Sequence, residues 1–370
     1  MNKKSIALLL VICSLFVILL GGCGTKKQST KTEAQQITVA DSLGRQVTVT
    51  VPLKGVVAVG PGSLRLYCYV NGMDKIVGVE NFEKSNPTGR PYLYAYPDLI
   101  NLPVIGTGGP NSTPNAEQIV AVNPDIILVD SNVDKAGADS LQSKTGVPVM
   151  VLSYGQQLGT FDQTAYDSIN MIGKVTGQEK RAAEIVAYLE ELKKDLNDRV
   201  KDIPEAEKPT VYVGGLGMKG SHGMLSTQAQ YPPFTAVLAK NVADETGKSG
   251  SLSIDPEKLI EWNPDKIFLD ENGFVLVKQD YEKNPAYYNS LAAVKNGELY
   301  AQMPFNYYTT NIDTALADAY YIGTVLYPEQ FKDIDPAEKA DEIYTFLVGK
   351  PVYSQMATDY GGFIKLSFDK

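Results

Sequence analysis

The sequence predicts an α/β protein of two Rossmann-like lobes joined by one long rigid α-helix, with a ligand cleft between the lobes. Three observations predict it. A single long amphipathic helix lies near the middle of the 370 residues. One helix–turn–strand unit occurs on each side of it. Glycines follow the first strand of each half.

The central helix spans residues 176–203. Ala182, Ile185, Leu189, Leu192, Leu196 and Val200 keep the three/four spacing of one apolar face. Thr176 and Glu179 read as a capping box at its start. Lys193, Lys194, Arg199 and Lys201 gather where the helix dipole favours cations, and Pro204 ends it. From Gln178 to Lys201, at 1.5 Å per residue, this is a rod of about 35 Å.

The repeated unit runs from Asn115 to Asp130 and again from Asp255 to Asp270. Each copy is a short capped helix, an Asn-Pro-Asp turn, an apolar run and a closing Asp. Proline ends the helix, and the apolar run suits a strand covered on both faces. The same turn at the same point in both copies indicates duplication of a lobe.

The chain in order begins with a basic start at Lys3 and Lys4 and an apolar core over residues 6–20. This reads as a signal peptide over residues 1–22. Leu20-Gly21-Gly22-Cys23 resembles a bacterial lipobox, which makes Cys23 the lipidated first mature residue. Residues 23–36 form a lipidated flexible tether rich in Lys, Thr, Gln and Ser. The N-terminal α/β lobe occupies residues 37–160, linker helices residues 161–203, and the C-terminal α/β lobe residues 204–370.

Within the first lobe, residues 37–51 alternate around Asp41 to Arg45 as a hairpin. Residues 55–59 form the first buried strand, followed by Gly60-Pro61-Gly62-Ser63 and a helix from Leu64. Residues 75–79 form a second strand. Tyr92, Tyr94 and Tyr96 then alternate ahead of Pro97, and residues 106–112 make a glycine-rich loop before the first repeat. In the second lobe, residues 210–215 form a strand ending in glycines. A loop carrying Lys219, Ser221 and His222 follows. The aromatic loop Pro304-Phe305-Asn306-Tyr307-Tyr308 and helices over residues 314–326 and 339–347 come last.

Composition narrows the function. Loss of residues 1–22 leaves 32 basic against 43 acidic residues, a net charge of −11. That argues against nucleic-acid binding, which rests on Lys and Arg neutralising phosphates. The single histidine, His222, leaves the chain short of imidazoles for a free-ion site. Cys13 and Cys23 belong to the leader and Cys68 to an apolar helix, so no disulfide framework exists. There is no G-x-S-x-G elbow to support a hydrolase. The length suffices for two domain-sized cores.

Taken together, the lipobox, Asp41 with Gly44-Arg45, the two Asn-Pro-Asp units, the connecting helix and Tyr327-Pro328-Glu329 resemble the binding lipoproteins of ABC importers. The class resembled is the helical-backbone periplasmic-binding family for ferric siderophores, haem and vitamin B12. The resemblance implies a monomer without enzymatic activity or a cofactor of its own, lipid-anchored on the extracytoplasmic face of the membrane. It implies delivery of a metal chelate to an ABC permease and its ATPase. An iron-siderophore is the first expectation; haem, a corrinoid or a nickel or cobalt complex are alternatives. It also implies an acidic permease contact on each lobe, for which Glu80 or Glu83 and Asp244 or Glu245 are candidates.

In open α/β sheets ligands sit beyond the carboxyl ends of the strands. Those ends carry Ser63, Arg65, Tyr92, Tyr94, Tyr96, Lys219, Ser221, His222, Asn272, Phe305, Asn306, Tyr307 and Tyr308. Aromatic walls with a few polar points suit a bulky chelate. Arg65 and Lys219 are candidates to offset an anionic ligand. His222 either completes the metal's coordination, donates a hydrogen bond to the chelate, or is structural.

Overall fold

The computed structural model describes residues 34–85, 87–109, 112–130, 132–155, 161–217 and 220–368. The signal peptide, Cys23 and Lys219 lie outside them.

The Asn-Pro-Asp turn organises both halves in the same way. Asn123 (φ 48°) and Asn263 (φ 39°) take the left-handed conformation that asparagine tolerates. The aspartate that follows ties down the first strand of its half. Asp125 accepts the backbone N–H groups of Lys54 and Gly55, the latter at 3.0 Å. Asp265 accepts that of Thr210 at 2.7 Å.

In the first half, β1 (Gln35–Ala40) and β2 (Gln46–Val51) form the expected antiparallel hairpin. Its turn is held by Asp41, which accepts from Leu43 N and Arg45 N and pairs with the Arg45 guanidinium at 2.9 Å. β3 (Val56–Val59), β4 (Ile76–Gly78), β5 (Ile126–Asp130) and β6 (Val149–Leu152) make a parallel sheet in the order β4-β3-β5-β6. Between and after these strands lie α1 (Ser63–Asn71), α2 (Asn81–Ser85), α3 (Pro91–Ala95), α4 (Ala116–Ala121) and α5 (Lys135–Thr145).

Two helices follow, α6 (Gln163–Thr176) and α7 (Glu179–Val200). α7 is the rod, and all six residues of its expected apolar face are buried. The expected capping box is not formed. Gly177 (φ 71°) ends α6 in the left-handed conformation, and the Thr176 hydroxyl turns back to Ile172 O at 2.8 Å. The N-cap of α7 is Gln178, without a side-chain cap. α7 packs against α6, against α1 of the first half, and against α8 and α13 of the second.

The second half opens with β7 (Thr210–Gly214), β8 (Ser226–Ala229), α8 (Pro232–Ala236), β9 (Lys240–Asn241), β10 (Gly250–Ser253), α9 (Pro256–Trp262) and β11 (Lys266–Asp270). Then come α10 (Glu271–Lys283), α11 (Pro285–Tyr288), α12 (Ala292–Lys295), β12 (Leu299–Gln302), α13 (Ile312–Leu326), α14 (Pro336–Val348), α15 (Tyr353–Tyr360) and β13 (Lys365–Leu366). The main sheet runs β13-β12-β11-β7-β9, parallel except at the β13 edge. In each half the first four strands of the main sheet lie in the order second, first, third, fourth.

The two halves do not have wholly separate cores. The largest buried cluster contains Val56, Ala58, Ile126 and Leu128 from one sheet and Val211, Val213 and Phe268 from the other, with α7 between. The alternate residues of the same strands face outward into smaller clusters, Val57 and Ile127 on one side and Tyr212 and Ile267 on the other. The period of two along each strand therefore divides one shared core from two outer ones. No described helix is long and apolar enough to cross a membrane.

Candidate functional site

A cavity of about 870 Å³ lies beyond the carboxyl ends of β3 and β5, and all its lining residues come from the first half. Its inner wall is Gly60, Glu80 and Asp130; Ser112, Asn115 and Lys144 are among the residues around it. Gly60 has φ 83°, and a Cβ there would stand 2.1 Å from Asp130 Oδ1, so only glycine lets the two strand ends meet. Gly60 N donates to Glu80 Oε2 at 3.0 Å. Burial pushes the Glu80 carboxyl up to about 7 against the pull of its hydrogen bonds from Tyr308 and Gly60. Burial likewise pushes Asp130 up to about 6. Asp130 accepts from Asn132 N at 3.2 Å, and its counterpart in the second repeat, Asp270, accepts from Asn272 N at 2.9 Å.

A loop from the second half closes over this wall. The Tyr308 hydroxyl donates to Glu80 Oε2 at 2.6 Å and accepts from Gly109 N at 3.0 Å. Tyr308 (φ 54°) and Thr309 (φ 61°) are both left-handed, a conformation that costs a β-branched residue such as threonine dearly. Arg65 holds the loop in place. Its guanidinium donates to the carbonyls of Tyr307 (2.9 Å), Tyr308 (3.2 Å) and Thr310 (2.9 Å), to Asn311 Oδ1 (2.8 Å) and to the Tyr154 hydroxyl (3.1 Å). Phe82 packs tilted against Tyr308, with centroids 4.5 Å apart and ring planes 46° apart, and Arg90 lies 5.1 Å from the Phe82 ring centroid.

The structure brings Arg65, Tyr307 and Tyr308 together but gives Arg65 a different task from the one expected. It is fully buried, and its donors are taken up by protein oxygens, so it is a clamp and not a counter-charge for a ligand. Ser63 is buried on the same helix. The tyrosines of residues 92–96 do not share a face, because Pro91 starts a helix where alternation was expected. Tyr92 is buried and donates to Glu83 at 2.9 Å; Tyr94 donates to Asp359; Tyr96 lies against Gly72. None of them lines the cavity.

Phe305 is buried in the core, 5.5 Å from the Tyr231 ring. Asn306 donates to Gly217 O at 3.3 Å, and Ser221 lies 3.4 Å from Asn272 Oδ1. These residues gather at the strand ends of the second half. His222 is half-buried on the loop between β7 and β8 and does not line the cavity. Among the described residues no group of three or more His, Cys, Asp or Glu is placed to hold a metal ion.

Two of the four docking candidates are corrected. Glu80 and Glu83 are 4% and 2% exposed, and Glu83 pairs with buried Arg90, so neither can meet an arginine on another protein. Asp244 and Glu245 are exposed, with Asp244 accepting from Gln230 N at 2.6 Å and Glu245 from Trp262 Nε1 at 3.0 Å. Asp130, Tyr154 and Asn311 were missed as site residues. The closing Asp of each repeat was the signal that would have found Asp130. Cys68 is buried and free, as its apolar surroundings predict.

Two like halves of parallel sheet with a cavity at the strand ends define a protein that holds a small molecule. The match to known proteins agrees: residues 56–304 fit the model of the periplasmic binding protein family, and the chain belongs to that family. One relative is an uncharacterized ABC transporter substrate-binding lipoprotein, YvrC of Bacillus subtilis, 24% identical and covering 86% of this chain and 96% of its own. Another is the iron-uptake system-binding protein of the same organism, 25% identical over 81% of this chain and 90% of its own. Among solved structures, the TroA-like periplasmic binding protein FepB of Veillonella parvula superposes with a TM-score of 0.65 at 25% identity, covering 85% of this chain and 97% of that one. Further relatives carry names for binding ferric citrate, iron(3+)-hydroxamate and cobalamin.

Proposed function

We propose that this chain is the extracytoplasmic binding lipoprotein of an ABC importer, anchored through Cys23, and that it captures a metal chelate of the iron-siderophore type for delivery to the permease and its ATPase. The cavity at the β3 and β5 ends carries the reading. Its volume is in the range that takes a drug-sized ligand, and its wall offers hydroxyls, amides and carboxylates to the periphery of a complex. The protein acts by binding and release, with no chemistry on its cargo. Asp244 and Glu245 are the carboxylates left to meet the permease.

A ferric chelate is favoured over haem by the cavity wall. Haem iron takes an axial His, Cys, Met or Tyr, and the described lining residues include none of these. The experiment is native mass spectrometry of protein purified from its own host, with calorimetry against ferric chelates and bare ions. A captured mass matching an iron complex supports the proposal. Binding of a bare ion in preference to every chelate refutes it.

A further inference from the structure

We propose that the cavity selects metal chelates of zero or positive net charge and discriminates against polyanionic ones. This rests on the reading that the cavity takes a metal chelate. The charged side chains lining it are Glu80, Glu117, Asp130 and Asp134, against the single ammonium of Lys144. Glu80 and Asp130 form the inner wall, and the other three are exposed. No arginine lines it. The three arginines between residues 37 and 160 are committed elsewhere: Arg45 to Asp41 and Asp139, Arg65 to the clamp, and Arg90 to Glu83.

The inner carboxylates make the field effective. Both are largely withdrawn from water, and neither has a cationic partner within salt-bridge distance among the described residues. Burial raises the titration of both, and no neighbouring cation offsets it. A cation or neutral donor brought against them restores what solvent would have supplied, whereas an anion adds repulsion in a place where water screens poorly. A ferric tris-catecholate carries a net negative charge spread over its ligands, and ferric citrate complexes are anionic as well. A ferric tris-hydroxamate is neutral, or cationic when its chain carries an ammonium. The wall suits the second group.

The experiment is calorimetry at pH 8, where the inner carboxylates are ionised, with the mature chain titrated with four probes. These are a neutral ferric tris-hydroxamate, one bearing a free ammonium, a ferric tris-catecholate and ferric citrate. The expected result is tighter binding of the hydroxamates by about tenfold or more. Asp130→Asn, which keeps the shape of the wall, should narrow that ratio severalfold by improving the anions. Glu80→Gln, which keeps an acceptor for Tyr308, should act in the same direction. Equal or tighter binding of the catecholate or citrate overturns the charge assignment while leaving the chelate reading intact. Failure of all four probes to bind overturns the chelate reading and the inference together.

Discussion

Asp270 closes β11, caps α10 and is 2% exposed. Burial pushes its carboxyl up to about 8. Glu271, next in sequence, is pushed up to about 9 by burial and by the charge of Asp270, and buried Asp318 is raised for the same two reasons. An unfolded chain releases the Asp270 proton near pH ~4. The folded chain therefore binds more protons than the unfolded chain between those values. The resulting stability is fully present below the unfolded pKa and is lost as pH rises through the folded one.

For Asp270 alone the slope is about 1.4 kcal/mol per pH unit, amounting to roughly 5 kcal/mol across the whole window. Asp270→Asn removes the titration but leaves an oxygen that can still accept the Asn272 N–H. Urea unfolding followed by circular dichroism from pH 5 to pH 9 reads both proteins. The variant should gain on the parent by about 1.4 kcal/mol per unit up to pH ~8 and then hold level. Parallel curves, or a parent that grows more stable toward pH 9, would refute the reasoning.

Arg65→Met removes five hydrogen bonds and leaves three carbonyls and Asn311 Oδ1 without their donor. Relief of the desolvated charge offsets part of the loss, and a net cost of about 3–5 kcal/mol is expected by urea denaturation. Tyr308→Phe should cost about 2–3 kcal/mol at pH 8, where its hydroxyl donates to an ionised Glu80, and about 1 kcal/mol at pH 5, where Glu80 is protonated. A loss that does not vary with pH would show that the hydroxyl serves only Gly109 N. Asp125→Ala and Asp265→Ala break the same tie in the two halves. Each should cost about 1–3 kcal/mol, and the double variant should be additive within about 0.5 kcal/mol. Strong coupling would mean that the two turns share a partner.

The fold was largely legible because it rests on short-range patterns. The stripe from Ala182 to Val200, the alternation of the hairpin and the twin Asn-Pro-Asp turns each reflect a local rule, and the structure shows them. The site was less legible because strand ends tell which loops converge, but not which side chains turn inward. Arg65 sits at a strand end yet donates to a loop some 240 residues onward, and no local pattern encodes that partner. Pro91 converts an apparent alternation of tyrosines into a helical turn that scatters them. Glu80 and Glu83 read as surface charges because the loop that covers Glu80 comes from far along the sequence, and no helical or strand spacing announces that Arg90 folds back onto Glu83. The shared core was hidden for the same reason, since its period of two shows that a strand has two faces, not what each faces.

The chain has one tryptophan, Trp262. It is half-buried on α9, with its indole N–H on Glu245 at 3.0 Å and Lys258 Nζ 5.2 Å from its ring centroid, and it takes no part in the cavity wall. Its emission therefore reports first on the surroundings of Glu245. On the proposed docking through Glu245, titration with permease should shift the emission, and Glu245→Gln should shift it without any partner present. A shift that permease gives and cargo does not would make docking readable in an unlabelled sample. An emission change on adding cargo alone, unaltered by Glu245→Gln, would assign the probe to the opposite event.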